Sequence, residues 1–196
     1  MTDWTSLDYA VVDVEGNGQQ PPDLVEVAIV PITAGAIGEP TTWLLRPERP
    51  ITSFARRIHG ITNAAVAAAP VFADVEKEIR SRLEGIAFVA HNAHVDLAVL
   101  RRKLPGWESQ EVFDTLKLAR RLRPERVSYR LGSLVEAFNL ANGLDPQLRP
   151  HRAAYDALVT ARLFALLAKS PDGRPLSLDE LRGLPTGGDD DTATLF

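Results

Sequence analysis

The chain contains no cysteine, which excludes disulfides, thiolate metal sites and cysteine nucleophiles together. It is poor in lysine as well: of 22 basic residues, 4 are Lys and 18 are Arg. No apolar run is long enough to cross a bilayer, and the longest, residues 64–72, is interrupted by Pro70. There is no excess of positive charge: the net value is −4, which argues against a basic coat for non-specific nucleic-acid binding. The opening Met1-Thr2-Asp3-Trp4 lacks the basic-then-apolar pattern of a signal peptide, so a cytoplasmic protein is expected. What remains is an ordinary globular composition: 196 residues, 45% hydrophobic and 24% charged. One domain of this size buries roughly 70% of its unfolded surface and needs no staples.

Net charge does not settle the partner. Arginine pairs with phosphate through two parallel hydrogen bonds. If four of the carboxylates held two divalent cations, the −4 would become zero.

Residues 9–15 (YAVVDVE) are β-branched and apolar and run into Gly16-Asn17-Gly18, which reads as a strand leaving into a loop. Strands are likewise expected at 23–33 and, after the Ala34-Gly35 turn, at 41–45, giving an antiparallel meander. Helical patterns follow at 53–58, 63–69 and 72–83, then a short buried strand at 86–90 and a helix at 92–104 ended by Pro105-Gly106. A last strand is expected at 111–113, with Asp114 capping a helix over 115–122. Further helices are expected at 131–140, 151–169 and 178–184. Strands first, then strands alternating with helices, predict an α/β domain: a mixed sheet flanked by helices.

Three segments stand out. Asp13 and Glu15, two apart on an apolar strand, project from one face. Side by side they repel, and burial makes that worse unless a cation sits between them; the alternative is an exposed acidic edge. His91-Asn92-Ala93-His94-Val95-Asp96 lies where a strand passes into a helix, the usual place for site residues in α/β sheets; Asn92 as a plain N-cap is the simpler account. His151-Arg152-Ala153-Ala154-Tyr155-Asp156-Ala157 opens a late helix. Five helical residues turn about 500°, so His151 and Asp156 converge only if His151 sits on the entry loop.

Taken in order, these segments read Asp-x-Glu, His-Asn-x-x-x-Asp and His-x-Ala-x-x-Asp-Ala. The chain from Leu7 to Ala168 resembles the DEDDh (DnaQ-like) 3′→5′ exonucleases, a family that includes the proofreading subunit of the bacterial replicative polymerase. Residues 54–62 (FARRIHGIT) resemble that family's Ile-His-Gly-Ile substrate-contacting turn. The resemblance implies an RNase H-like fold with a five-stranded mixed sheet. It also implies two Mg²⁺ or Mn²⁺ ions roughly 3.5–4 Å apart, held by Asp13, Glu15, Asp96 and Asp156. Asp13 would bridge them. His151 would be the general base; a histidine ordinarily titrates near ~6.5 and is neutral at pH 7–8. Gly16, Ile58, His59 and Asn92 would contact substrate. The expected products are nucleoside 5′-monophosphates from a single-stranded or frayed 3′ end. Two departures bear on substrate preference: Gly16, Asn17 and Gly18 replace the family's usual Thr-Thr-Gly, and Val95 stands where an aromatic is common.

Arg120, Arg121, Arg123, Arg126 and Arg130 put five cations into eleven residues, as a solvated face or as a phosphate-binding rim. Residues 1–184 are expected to form one exonuclease domain and 185–196 a flexible acidic tail. The tail's Leu195-Phe196 end loosely resembles short peptides that bind the bacterial sliding clamp, without their leading Gln, so the resemblance implies a sliding clamp or a DNA polymerase as partner. Two rival functions are a ribonuclease trimming short RNAs and a non-catalytic DNA-binding scaffold. The Asp156-Ala157 ending favours DNA over RNA by resemblance, and a decayed scaffold would have lost one of five site residues that are all present.

Overall fold

The computed structural model describes residues 2–184. Strand β1 (Tyr9–Gly16) lies at the centre of a mixed sheet, antiparallel to β2 (Leu24–Thr33) and parallel to β5 (Ala87–Ala90), which pairs in parallel with β6 (Val112–Asp114). The short β3 (Ala36–Ile37) and β4 (Thr41–Leu44) both pair with β2, one after the other along it. The sheet is therefore five positions wide but built from six strands. The extra one, β3, has two residues, too few for an alternating pattern to show.

Alternation along β1 sorts its side chains between two cores. Tyr9 and Val11 face a core with Val30, Ile32 and Phe164, beneath helices α5 (Thr115–Leu122), α6 (Leu131–Phe138) and α7 (Ala153–Leu167). Ala10 and Val12 face the other, with Phe88, Leu97 and Leu100, beneath α3 (Phe72–Ser81) and α4 (His94–Lys103). Period two thus assigns Asp13 and Glu15 to the α7 side before any contact is considered. Buried Ala153, Ala157 and Ala161 let α7 lie close on the sheet, and Phe164 anchors it edge-on to Trp4 and 4.9 Å, centroid to centroid, from Tyr9. Truncating Phe164 to Ala would cost about 3–5 kcal/mol.

Most helices start or stop where a residue takes a left-handed backbone. Asn92 (φ 70°) delays α4 to His94, Asn139 (φ 52°) ends α6 at Phe138, and His151 (φ 62°) delays α7 to Ala153. Each expected helix overran at that point, because periodicity registers a side-chain pattern and not a reversed φ. Helix α1 (Ser53–His59) is capped by Thr52 and closed by Gly60 at φ 76°; the short α2 (Asn63–Val66) and α8 (Leu178–Arg182) complete the order.

Candidate active site

Asp13 and Glu15 at the end of β1 meet Asp156 from the first turn of α7. One carboxylate oxygen from each lies within 4.8 Å of the others. Asp96, in the first turn of α4, is buried, and its Oδ1 accepts the Val14 N–H at 3.2 Å, which ties α4 between the two strand carboxylates. Among the described residues no Lys or Arg pairs with any of these four. The electrostatics follow. Burial, then Asp156, Glu26 and Asp96, push Glu15 up to about 8. Burial takes Asp96 to about 7 and Asp156 to about 6. Asp13 is raised well above the usual carboxylate range by burial and then by Asp96, Asp156 and Glu15.

His151 sits on the entry loop, exposed and left-handed, and its backbone N–H donates to Asp156 Oδ2 at 3.0 Å. The two residues meet as the loop placement requires, and Asp156 does not face solvent. Behind them Glu26 on β2, 2% exposed, accepts Arg152 Nε at 3.0 Å, Arg152 Nη2, and the Ala153 N–H at 2.8 Å. This pair fixes the first residues of α7 against the sheet. Glu26 is thus a buried, hydrogen-bonded residue, as its place on an apolar strand suggests. Arg152 gives no such signal, because its partner is 126 residues away.

The β5–α4 junction is held by Asp114. Its Oδ1 caps α5 through the Leu116 N–H at 2.9 Å and also accepts the Asn92 N–H at 3.0 Å. Asn92 is therefore not the cap of α4; that position is Ala93. His91 is locked between Thr115 Oγ1 at 2.9 Å and the Tyr129 carbonyl at 3.0 Å. Burial keeps its pKa low, so it is neutral, with Nε2–H donating to the carbonyl.

Beside Glu15 opens a hollow of about 230 Å³ walled by Gly16, Phe54, Ile58, His59 and Val95. Phe54, Ile58 and Val95 are 62%, 44% and 47% exposed. Three large apolar side chains left open around one hollow mark a place for a ligand with flat apolar faces. Phe54 and Ile58 are four apart on α1 and share a face; that spacing is the signal by which Phe54 could have been found. His59 is buried, its Nδ1 accepts the Ile61 N–H at 3.0 Å, and its Nε2 has no partner among the described residues.

The arginine run does not form one rim. Arg120 and Arg130 line a hollow with Asn92, whereas Arg121 turns the other way and donates to the Leu181 carbonyl at 2.7 Å. Arg123 donates to its neighbour's carbonyl, and Arg126 stacks 4.6 Å from the Phe138 ring. Leu195 and Phe196 lie outside the described residues. No helix among the described residues is long and apolar enough to cross a membrane.

Comparisons with known proteins agree with this geometry. The family model described as Exonuclease (RNase_T) matches residues 10–164. Exodeoxyribonuclease 10 of Escherichia coli K12 is 36% identical over 176 residues, covering 90% of this chain and 76% of that protein. The 3′-5′ exonuclease DinG of Bacillus subtilis is 33% identical over 184 residues; the match takes in 90% of this chain but spans only 18% of that protein. Among solved structures, Exonuclease X in complex with 5′ overhanging duplex DNA superposes with a TM-score of 0.71 at 34% identity, over 88% of this chain and 98% of the other. With the match spanning the sheet and all four carboxylates, the chain belongs to the RNase_T exonuclease family and is a DnaQ-like 3′→5′ exonuclease of RNase H-like fold.

Proposed function

We propose that the protein hydrolyses DNA from a single-stranded or frayed 3′ end, one nucleotide at a time, releasing nucleoside 5′-monophosphates. The observation that carries this reading is the carboxylate cluster: three groups within 4.8 Å, a fourth laced to the same strand, and no Lys or Arg ion-paired to any of them among the described residues. The donors are all hard carboxylate oxygens, the set that Mg²⁺ and Mn²⁺ prefer. Asp13, Glu15, Asp96 and Asp156 would hold two such cations. When bound, they supply charge stabilisation of the phosphoryl group and a water acidic enough to react.

The remaining work falls to the chain's own groups. The Phe54, Ile58 and Val95 walls receive the terminal base and sugar, with Gly16 and His59 closing the hollow behind them. The exposed imidazole of His151, next to Asp156, takes a proton from the attacking water. A water oxygen bonds to phosphorus as His151 accepts its proton, the P–O3′ bond breaks, and O3′ takes a proton from solvent water to become the new 3′-hydroxyl. DNA as substrate is supported by the names of the relatives, exodeoxyribonuclease 10 among them. Such an activity suits proofreading or repair, with a polymerase or sliding clamp as partner; the clamp assignment rests on the sequence of residues 192–196 alone.

The test is hydrolysis of 5′-labelled single-stranded DNA, of duplex DNA with a 5′ overhang, and of RNA, each with Mg²⁺ and with excess chelator. A ladder of products shortened from the 3′ end on single-stranded DNA, abolished by chelator, is expected. Faster trimming of RNA would replace the DNA reading, and binding without hydrolysis would leave the scaffold.

A further inference from the structure

We infer that the hollow between the β5–α4 junction and the α5–α6 connection is a second nucleic-acid subsite, which grips an internucleotide phosphate upstream of the scissile bond through Arg120 and Arg130. The inference rests on the exonuclease reading and deepens it: it assigns the side chains that hold the strand beyond its terminal nucleotide, a grip that a mononucleotide ester or a dinucleotide is too short to use.

The hollow encloses about 580 Å³ and is lined by His91, Asn92, Arg120, Ser128, Tyr129 and Arg130, among others. Its two guanidinium groups are exposed, and among the described residues neither pairs with a carboxylate. Most other arginines of the fold are engaged; Arg49, Arg80, Arg101, Arg152, Arg174 and Arg182 all pair with carboxylates. Two unpaired cations facing one polar hollow in a protein of net charge −4 are a local attraction for an anion.

The hollow is also built to hold its shape. His91 uses both ring nitrogens on Thr115 and Tyr129, so it braces the floor and does not compete for a ligand. The Tyr129 ring supports Arg120 from 6.0 Å, and the Tyr129 hydroxyl donates to the Arg123 carbonyl at 2.9 Å. The Asn92 side-chain amide has no partner among the described residues, while its backbone N–H is fixed by Asp114. Helix geometry selects the cations: Leu116 and Arg120, four apart on α5, line this side, while Lys117 and Arg121 line a separate hollow of about 450 Å³ on the other.

Distance sets the register. Asn92 lines the hollow and Asp96 stands four residues on, so at most about 14 Å of chain separates the two. With the roughly 3.4 Å rise of a stacked strand, one whose end lies at the carboxylates places a phosphate in the hollow within about four nucleotides, and a more extended single strand does so within fewer.

The experiment compares wild type, R120A/R130A and R121A. For each, kcat/KM is measured on the p-nitrophenyl ester of thymidine 5′-monophosphate, a dinucleotide and a single-stranded octanucleotide, and octanucleotide binding is followed by anisotropy in chelator. R120A/R130A is expected to lower the octanucleotide-to-ester ratio of kcat/KM about tenfold or more. The slope of log binding constant against log salt should flatten by about 0.7 per arginine. R121A should leave both readouts at wild-type values. An unchanged ratio and unchanged binding in R120A/R130A would overturn the subsite, and so would an equal loss in R121A. If wild type hydrolyses none of the substrates, the exonuclease reading fails instead, and the binding arm still decides the subsite.

Discussion

Asp13 is ringed by carboxylates: Asp96 from α4, Asp156 from α7, Glu15 from its own strand and Glu26 from β2. Without a cation these groups repel, so Asp13→Asn removes both a ligand and a source of strain. Hydrolysis is expected to vanish while the melting temperature in chelator at pH 8 rises or at least holds; a scanning melt beside the labelled-DNA assay checks both. His151 separates base from scaffold. Its backbone N–H supports Asp156, and its φ of 62° disfavours most side chains. His151→Asn tolerates that backbone and keeps the N–H but has no imidazole. It should cut kcat by about 10²–10⁴-fold with the Mg²⁺-induced rise in melting temperature intact. Loss of that rise along with the activity would make His151 a support for Asp156 and not a base.

At the scale of elements, the brace between Glu26 and the start of α7 places Asp156. Removing the guanidinium leaves a buried carboxylate with only the Ala153 N–H, so Arg152→Met should destabilise the fold by about 2–3 kcal/mol in urea unfolding, less than a fully enclosed pair because Arg152 is half exposed. Glu26→Gln added to Arg152→Met should recover most of that, because no charge then remains buried. Such contacts explain what the sequence made legible and what it did not. Asp13 and Glu15 stand out because they interrupt an apolar strand at period two, and Asp114 stands out as a helix cap. The Arg152–Glu26 pair and the Asp114 bond to Asn92 exist only once β1, β2, β5 and β6 are paired, over separations of 126 and 22 residues. No local pattern encodes them. The arginine run shows the same limit: spacing gave five cations on one stretch, but the helix turned Arg120 and Arg121 to opposite sides.

Over the whole molecule, the carboxylates couple stability to pH and to divalent cations. Glu15, at about 8, and Asp96, at about 7, lie far above the ~4 of an unfolded chain. Between pH 6.5 and 8 the unfolded state has already lost these protons and the folded state is still losing them. The folded state therefore binds more protons, and stability without metal falls as pH rises. Buried His59 and His91 work the other way, since burial lowers their pKa: the unfolded chain begins to bind these protons below about pH 7.5, so they offset part of the trend at the acid end of the window and leave the decline clearest towards pH 8. Cation binding needs the carboxylates ionised and reverses the sign, because binding strengthens as protons leave. In chelator the melting temperature should decline from pH 6.5 to 8, while in Mg²⁺ it should stay level or climb. At a concentration a hundredfold above Kd the two curves should separate by about 2.7 kcal/mol for each cation bound, or roughly 5–11 °C per cation for a chain of this length. Calorimetry at pH 6.5, 7.2 and 8.0, with and without chelator, measures that separation. Coincident curves would mean that the four carboxylates hold no cation in solution, and the proposed hydrolytic chemistry would fall with them.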